Sequence, residues 1–214
     1  MSELAEIAGH EKDAQYYRSV SEEYIKKWEN FGMSREKSHA KLAYNWYGSW
    51  TTLYSLFADA ILCFHPSITG ANSGTAGSAG AFSRNFGGQE PLQPGDPQQD
   101  NQSKDFIPHY IYTNQSHWYH LVMQKYGLPL DSRHLYTKSD WEFEAAAVAE
   151  NDVRAEILDK VAKWINETST DRPLSDLYET ENDGGFPGIY FMARPVVGGH
   201  FAFLALERAC GGGH

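Results

Sequence analysis

The stretch that decides how this chain is organised is residues 130–142, Leu-Asp-Ser-Arg-His-Leu-Tyr-Thr-Lys-Ser-Asp-Trp-Glu. It separates two segments with helical periodicity. Its charged side chains and its histidine lie within 12 residues of one another: Asp131, Arg133, His134, Lys138, Asp140 and Glu142. Such a density of charge favours a functional loop over one that is merely solvated.

Helices are predicted on both sides of this loop. The helix before it runs from about 112 to 126 and is stopped by the Gly-Leu-Pro sequence at 127–129. After the loop, Ser139 followed three residues later by Glu142 forms a capping box. This motif predicts a helix from 139 to about 150.

Four further segments have helical periodicity. Apolar side chains at steps of three and four indicate an amphipathic helix over residues 13–30: Tyr17, Val20, Tyr24 and Trp28. Residues 38–64 are apolar nearly all round, which is typical of a helix buried on several sides. The last two helices are predicted at 153–165 and 199–209. Because strand alternation is almost absent, six helices in antiparallel succession predict an all-α architecture of stacked helical hairpins.

Residues 67–104 differ from the rest of the chain, because Gly, Ser, Pro and Gln dominate and no hydrophobic period survives. We interpret this segment as a flexible insertion. The entropy cost of closing a loop grows only logarithmically with its length, so a long insertion is compatible with a stable domain. Residues 1–214 are therefore interpreted as one domain.

The overall composition narrows the range of partners. The chain has 214 residues, of which 41% are hydrophobic, and its formal net charge is −10. This charge repels nucleic acid and anionic membranes alike. No apolar run approaches the roughly 20 residues that span a bilayer, and the polar, acidic start Met-Ser-Glu-Leu-Ala-Glu does not have the pattern of a signal peptide. We expect neither nucleic acid nor membrane as a partner.

Cys63 and Cys210 are the only cysteines, which excludes a disulfide framework and a zinc site of four cysteines. Two free, buried thiols are the favoured interpretation, with a bridge between them as the alternative. His117 and His120 are spaced for one helix face, but no third ligand can be named, so no metal is predicted. Three glycosylation sequons, at Asn101, Asn114 and Asn166, hint at a secreted lineage.

The charged loop offers candidate catalytic groups and a simpler structural interpretation of each. Asp131 and Asp140 are the preferred working carboxylates, with Arg133 and Lys138 as their charge partners. Alternatively, Asp140 and Glu142 only cap the following helix. Asp131 and Arg133 could equally form a structural salt bridge.

Two other stretches carry candidate binding groups. In residues 44–50, Tyr-Asn-Trp-Tyr-Gly-Ser-Trp, Asn45 would be hydrogen-bonded if buried, and Tyr47 and Trp50 would share one helix face. These three residues could contact a ligand or pack in the core. In residues 193–200, Ala-Arg-Pro-Val-Val-Gly-Gly-His, Arg194 can clamp a carboxylate with two parallel hydrogen bonds. A structural pair of this arginine with Asp183 or Glu181 is the alternative.

Taken together, these three stretches resemble the C-terminal domain of the fungal glutaminase A family, and the resemblance covers nearly the whole chain. It implies a six-hairpin toroid of twelve helices, as in many glycosidases, of which this chain would supply about half. The chain would then be a fragment whose partner is the missing N-terminal part of the same protein. The resemblance further implies a small-molecule substrate, an extracellular location and the hydrolysis of L-glutamine to L-glutamate and ammonia, without a metal or organic cofactor.

On this resemblance we form a mechanistic hypothesis. Asp131 or Asp140 would activate water, and Arg133 or Arg194 would hold the substrate carboxylate. Lys138 or His134 would assist the departing ammonia. The other residues expected to contact substrate are Asn45, Tyr47, Trp50 and Glu142. The alternatives are a carbohydrate-active protein, because paired carboxylates beside aromatic rings also suit glycoside chemistry, and a non-catalytic scaffold fragment.

Overall fold

The computed structural model describes residues 1–65, 105–186 and 191–209. Within these ranges the elements are α1 Ser2–Ile7, α2 Glu11–Gly32, α3 Leu56–Ile61, α4 His109–Val122, β1 Tyr136–Lys138, α5 Ser139–Val148, α6 Asn151–Glu167, β2 Leu177–Glu179, a 3-10 helix Pro195–Phe201 and α7 Ala202–Arg208. The predicted all-α class is confirmed. The predicted insertion at 67–104 lies outside the described residues. No helix in these three ranges combines the length and apolar character needed to cross a bilayer.

Helix α5 lies at the centre of the fold. It packs against α3, α6, α7 and the 3-10 helix. Three successive alanines, 145–147, are fully buried, and their small side chains allow neighbouring elements to approach from several directions. Because polar as well as apolar residues of this helix are buried, it has almost no amphipathic character.

Helix α5 ends at Val148, slightly before the predicted end at 150. Its last carbonyl groups are satisfied by Arg154 of α6, which donates to the carbonyls of Ala146 at 3.0 Å, Ala147 at 3.2 Å and Ala149 at 3.1 Å. A guanidinium at this position also interacts favourably with the negative end of the helix dipole. This contact fixes the sharp turn between α5 and α6.

Helix α6 confirms the periodicity predicted for 153–165. Its buried residues recur at steps of three and four and join the larger hydrophobic core: Val153, Ile157, Val161 and Trp164. Ile165, the last residue of the predicted segment, is 61% exposed and belongs to the opposite face. The ring of Trp164 stacks on Tyr178 at a centroid distance of 3.7 Å, so α6 also covers the small sheet.

The two short strands were missed by the sequence analysis. They pair antiparallel, with Thr137 opposite Tyr178 and Lys138 opposite Leu177. Three residues are too few to show an alternating pattern. The pairing nevertheless has a clear consequence, since it brings Lys138, at the end of β1, next to Asp176, which immediately precedes β2.

The helix predicted over residues 38–64 is wrong for most of its length, because only Leu56–Ile61 is helical there. Distant partners satisfy the backbone instead. The side chain of Gln115 accepts from the N–H of Ala40 and donates to the carbonyl of Thr51, both at 2.9 Å. The N–H of Thr52 donates to the carbonyl of Leu130 at 2.9 Å. Tertiary hydrogen bonds therefore decide the conformation of this segment. It is only partly buried, since Tyr44, Trp46 and Tyr47 are exposed.

The amphipathic helix predicted over residues 13–30 is confirmed and extends over Glu11–Gly32 as α2. Its aromatic face is only partly covered within the described structure, since Trp28 packs against a core cluster whereas Tyr17 and Tyr24 are exposed. Only Ala14 and Gly32 of this helix are buried. Together with exposed Leu4 and Ile7 of α1, α2 leaves an apolar surface open at one edge of the fold.

The cysteines were expected to be free thiols, and this expectation is wrong for Cys63, which is disulfide-bonded. Cys63 follows α3 and has a positive φ of 63°. The only other cysteine of the sequence, Cys210, lies outside the described residues.

Two isoleucines of α6 test where the core lies. Ile157→Ala should lower the free energy of unfolding by about 2–5 kcal/mol, because it empties a fully buried position. Ile165→Ala on the same helix should change it by no more than about 0.5 kcal/mol, since this side chain is exposed. Urea denaturation followed by circular dichroism measures both values. Equal losses in the two variants would contradict the assignment of the core.

Candidate functional site

Four charged side chains form a connected network where β1, α5, β2 and the 3-10 helix meet. Lys138 Nζ donates to Asp140 Oδ1 at 3.0 Å and Oδ2 at 2.8 Å, and it lies 3.6 Å from Asp176 Oδ2. Arg194 binds the same Asp176 with two parallel bonds, through Nε at 2.8 Å and through Nη2. Two cations thus balance two carboxylates, and the aspartates are almost completely buried. Because lysine and arginine occupy the carboxylate oxygens, this network is not arranged to hold a metal.

Asp176 connects the parts of this network through both its backbone and its side chain. Its carbonyl accepts from the N–H of Ser139 at 2.8 Å, and its own N–H donates to the carbonyl of Phe191 at 3.1 Å. Burial alone would raise the pKa of its carboxyl group. The hydrogen bonds from Arg194 and the charge of Lys138 outweigh burial, and the pKa of Asp176 lies below its ordinary value.

Aromatic rings border the network on the Lys138 side. Lys138 Nζ lies 4.4 Å from the ring centroid of Trp141, and Trp141 stacks on Tyr54 at 4.0 Å. Both rings are partly exposed. A cation held over an aromatic face at the edge of a buried charge network is a suitable wall for a small polar ligand.

His200 closes the opposite side of the network. Its Nε2 lies 2.9 Å from Ser139 Oγ, and its ring packs against Phe143 at 4.6 Å. Burial lowers the pKa of His200, although the charges of Asp140 and Asp176 oppose this effect. The 3-10 helix reaches this position because Gly199 has no side chain: a Cβ there would lie 2.8 Å from Cβ of Asp140.

The predicted capping box at Ser139 and Glu142 does not form. The hydroxyl of Ser139 faces His200, and helix α5 has no side-chain cap. The carboxyl group of fully buried Glu142 accepts from the N–H of Leu128 at 2.7 Å, and its Oε2 lies 2.5 Å from the hydroxyl of Tyr178. Glu142 therefore binds the loop before β1 and strand β2. It does not close its own helix.

Burial raises the pKa of Glu142 from 4.5 to about 8, although hydrogen bonds from Tyr178 and Leu128 act in the opposite direction. A protonated Glu142 fits its surroundings. It can give its hydrogen to Tyr178, whose hydroxyl lies 3.0 Å from the carbonyl of Tyr126 and can donate to it. Gly127 makes room for this arrangement, because a Cβ at that position would lie 2.3 Å from Glu142 Oε1.

The remaining groups of the charged loop lie in a second, separate set of contacts. Asp131 accepts from the backbone N–H of Arg133 at 2.9 Å and from its guanidinium, through Nε at 2.9 Å and Nη2 at 2.8 Å. Burial would raise the pKa of Asp131, but these bonds from Arg133 outweigh it and the pKa is lowered. The structural salt bridge considered as an alternative is therefore present.

This salt bridge lines a surface depression of about 370 Å³ together with Trp50, His134 and a few neighbouring residues. The depression has the volume of a small-ligand site. The carboxylate of Asp131 and the guanidinium of Arg133 are already bound to each other there, in the same loop. A slightly larger depression of about 400 Å³ is lined by residues 9–13, at the turn between α1 and α2, away from all the candidate residues.

The candidates at residues 44–50 are placed differently from the expectation. Asn45 is exposed, and Tyr47 is 79% exposed with Lys41 Nζ at 4.9 Å from its ring centroid. Because this segment is a series of turns, Tyr47 and Trp50 do not share a helix face. Arg194 forms a structural ion pair, as one of the two alternatives predicted. Its partner is Asp176, however, and neither Asp183 nor Glu181.

Several residues of the site were not foreseen as functional, among them Asp176, Tyr178 and the pair of Ser139 with His200. Asp176 is a single acidic residue in the ordinary sequence Leu-Ser-Asp-Leu-Tyr, and no local pattern marks it. The only signal that could have found it is the requirement that a buried lysine have a negative partner.

Replacing Glu142 by glutamine tests the state of this buried carboxyl group. A pKa of about 8 in the folded state against 4.5 means that the protonated group stabilises the fold below about pH 4.5 and that this stability is lost as the pH rises towards 8. The loss approaches about 1.4 kcal/mol per pH unit within that window. We expect Glu142→Gln to flatten this pH dependence of the unfolding free energy.

The control for this measurement is Glu207→Gln, which changes an exposed glutamate of α7. Urea denaturation between about pH 5 and 8 gives the slope for each protein. An unchanged slope in Glu142→Gln would show that Glu142 is ionised throughout.

Comparisons with known proteins place this arrangement in a family. The family model described as the glutaminase A six helical-hairpin domain matches residues 1–68 and 101–204. A protein of Arthroderma benhamiae named "probable glutaminase" is 57% identical over 212 residues, which are 99% of this chain and 23% of that protein. Glutaminase A of Aspergillus oryzae is 35% identical over 209 residues, which are 96% of this chain and 24% of that protein.

No solved structure has significant similarity to the chain. The chain spans about a quarter of the length of the curated relatives that it matches. The family match covers most of the sequence and includes every residue of the charge network. The chain belongs to the glutaminase A six helical-hairpin domain family.

Proposed function

We propose that this chain is part of a glutaminase A-like amidohydrolase that converts L-glutamine to L-glutamate and ammonia. The family membership and the names of the two relatives support the reaction class. We assign the reaction to particular residues because one buried network joins four charged side chains: Lys138, Asp140, Asp176 and Arg194. Charged groups held away from water by compensating partners are the arrangement that supports proton transfer and charge stabilisation.

Within this network Asp140 is the proposed general base. It accepts one proton of a water molecule whose oxygen bonds to the carbon of the substrate side-chain amide. The carbon–nitrogen bond then breaks, and the leaving nitrogen takes a proton from Lys138. Lys138 recovers that proton from Asp140 across the 2.8–3.0 Å contact between them. The net change is the addition of one water and the release of ammonia, without a metal or an organic cofactor.

Arg194 is the proposed binding group for the substrate carboxylate. A guanidinium has five N–H donors, and the bonds to Asp176 use two of them. Its side chain is 32% exposed, so Nη1 can meet a ligand while the pair with Asp176 fixes the orientation of the plane. The aromatic wall formed by Trp141 and Tyr54 would bound the opposite side of the substrate.

Asp140 is preferred over Asp131, the other candidate base. The carboxylate of Asp131 is bound by both the backbone and the side chain of Arg133 in a self-contained turn. Asp140 is joined instead to a lysine that can relay a proton and to a second carboxylate beyond it. Arg133 and His134 are accordingly proposed to shape the neighbouring depression without taking part in proton transfer.

The rest of the longer protein is the proposed partner of this chain. The relatives are about four times as long, and the open apolar surface of α1 and α2 is suited to packing against further helices. We also propose an extracellular location. The disulfide at Cys63 supports it, because such bonds persist in oxidising compartments.

The direct test is the release of ammonia from L-glutamine by the purified 214-residue chain, after circular dichroism has shown that it is helical and unfolds cooperatively. We expect Asp140→Asn to reduce the rate at least about tenfold, since general base catalysis is typically worth 10²–10⁴-fold. Asp159→Asn, an exposed aspartate of α6, is the matched control and should retain the full rate.

Unchanged activity in a folded Asp140→Asn protein would refute the assigned base. A folded chain that releases no ammonia would show that its residues alone do not suffice for the reaction. Release of reducing sugar from an aryl glycoside by the same preparation would instead identify a carbohydrate-active protein.

A further inference from the structure

A second cluster of titratable side chains lies away from the charge network, where the segment after α3 meets the start of α4. His65, Asp105 and His109 each direct one ligand atom to a common point, and these atoms lie within 4.8 Å of one another. His65 Nε2 is 3.1 Å from His109 Nδ1 and 3.6 Å from Asp105 Oδ2. The ligands come from both sides of residues 66–104, so sequence spacing gave no indication of the cluster.

These separations agree with the geometry of a small tetrahedral metal site. Ligand atoms at about 2.0–2.1 Å from a tetrahedral Zn²⁺ are separated by about 3.3–3.4 Å. The two measured distances from His65 Nε2 lie on either side of this value. Two imidazole nitrogens and one carboxylate oxygen are also a donor set that suits zinc and is unsuited to calcium or magnesium, which prefer oxygen alone.

The three residues of the cluster differ in their exposure to solvent. The side chains of His65 and Asp105 are fully buried, whereas His109, the first residue of α4, is exposed. Two ligands are therefore fixed by the interior and the third lies at the surface. A site of this shape gives an ion access from solvent and leaves a fourth position for water.

An outer layer orients the buried histidine. Asp59 Oδ2 lies 3.3 Å from His65 Nδ1, the ring nitrogen that faces away from the cluster. The hydroxyl of Tyr112 donates to the same oxygen at 2.7 Å and lies 3.0 Å from the carbonyl of Leu56. A carboxylate behind the second nitrogen of a histidine is the usual support of a metal-binding imidazole, because it fixes the tautomer and the ring plane.

We propose that His65, Asp105 and His109 bind one Zn²⁺ ion, with water in the fourth position and Asp59 as the positioning residue of His65. The ion would join the end of the α3 segment to the start of α4 and stabilise the fold there. This site is independent of the proposed glutamine chemistry, which needs no metal. It also revises the expectation of a chain without a metal, which considered only His117 and His120.

The test uses the full 214-residue chain after removal of metal with a chelator. Equilibrium dialysis against Zn²⁺, with elemental analysis, should give one ion per chain, and the ion should raise the midpoint of thermal unfolding. His109→Ala should weaken binding at least about tenfold, and Asp59→Asn should weaken it about 10–100-fold, as expected for a group that orients a ligand. His117→Ala, an exposed histidine of the same helix α4, is the matched control and should bind as the unchanged chain does.

His109 is the decisive position because its exposure makes the variant tolerable to the fold, whereas a change at His65 could disturb the interior. Replacement of zinc by Co²⁺ gives a second readout, since a tetrahedral site with nitrogen ligands produces visible ligand-field absorption. The proposal is overturned if the folded chain binds no stoichiometric zinc. It is equally overturned if His109→Ala and His117→Ala bind zinc with the same affinity.

Discussion

The position of Asp176 is the constraint on which the rest of the site depends. This one residue binds the first amide of α5 through its carbonyl and the segment at Phe191 through its N–H, and its carboxylate binds Arg194 and approaches Lys138. Three chain segments meet there, at residues 138–139, 176 and 191–194. A fully buried carboxylate is costly unless its charge is compensated, so these segments cannot separate without exposing an unpaired ion. Asp176 therefore fixes where α5 begins and where the 3-10 helix docks.

Glu142, one turn further along α5, is a second buried carboxyl group that joins chain segments. Its raised pKa of about 8 favours the protonated, neutral form. Its contacts with Leu128 and Tyr178 tie the loop before β1 to strand β2. Buried polar networks specify one arrangement because an incompletely satisfied network is more costly than an apolar core. The core around these contacts is built from alanines and from the stacked pair of Trp164 and Tyr178. Polar contacts thus position the central helix, and apolar side chains of α6 pack against it in the larger hydrophobic core.

The sequence predicted those parts of the fold that depend on interactions between neighbouring residues, and it failed where contacts between distant residues decide the structure. Periodicity located α2, α4 and α6 because local amphipathic patterns dominate there. Helix α5, which has almost no amphipathic character, was located from Ser139 and Glu142 at its start, although their capping box does not form. Periodicity failed over residues 38–64, where hydrogen bonds to Gln115 and Leu130 hold a mostly non-helical segment. The density of charge singled out residues 130–142 as a candidate loop, yet it could not separate the Asp131 turn from the Lys138 network. Asp176 and the cluster of His65 with His109 were missed, since both arise from contacts between residues distant in sequence.

The most direct test of this account is a double-mutant cycle between Asp176 and Arg194. The free energy of unfolding is measured by urea denaturation for the unchanged chain, Asp176→Asn, Arg194→Gln and the double variant. We expect a favourable coupling of about 1.5–3 kcal/mol, because the paired hydrogen bonds join charged partners on separate segments. Additive losses, within about 0.5 kcal/mol, would contradict the central role assigned to Asp176.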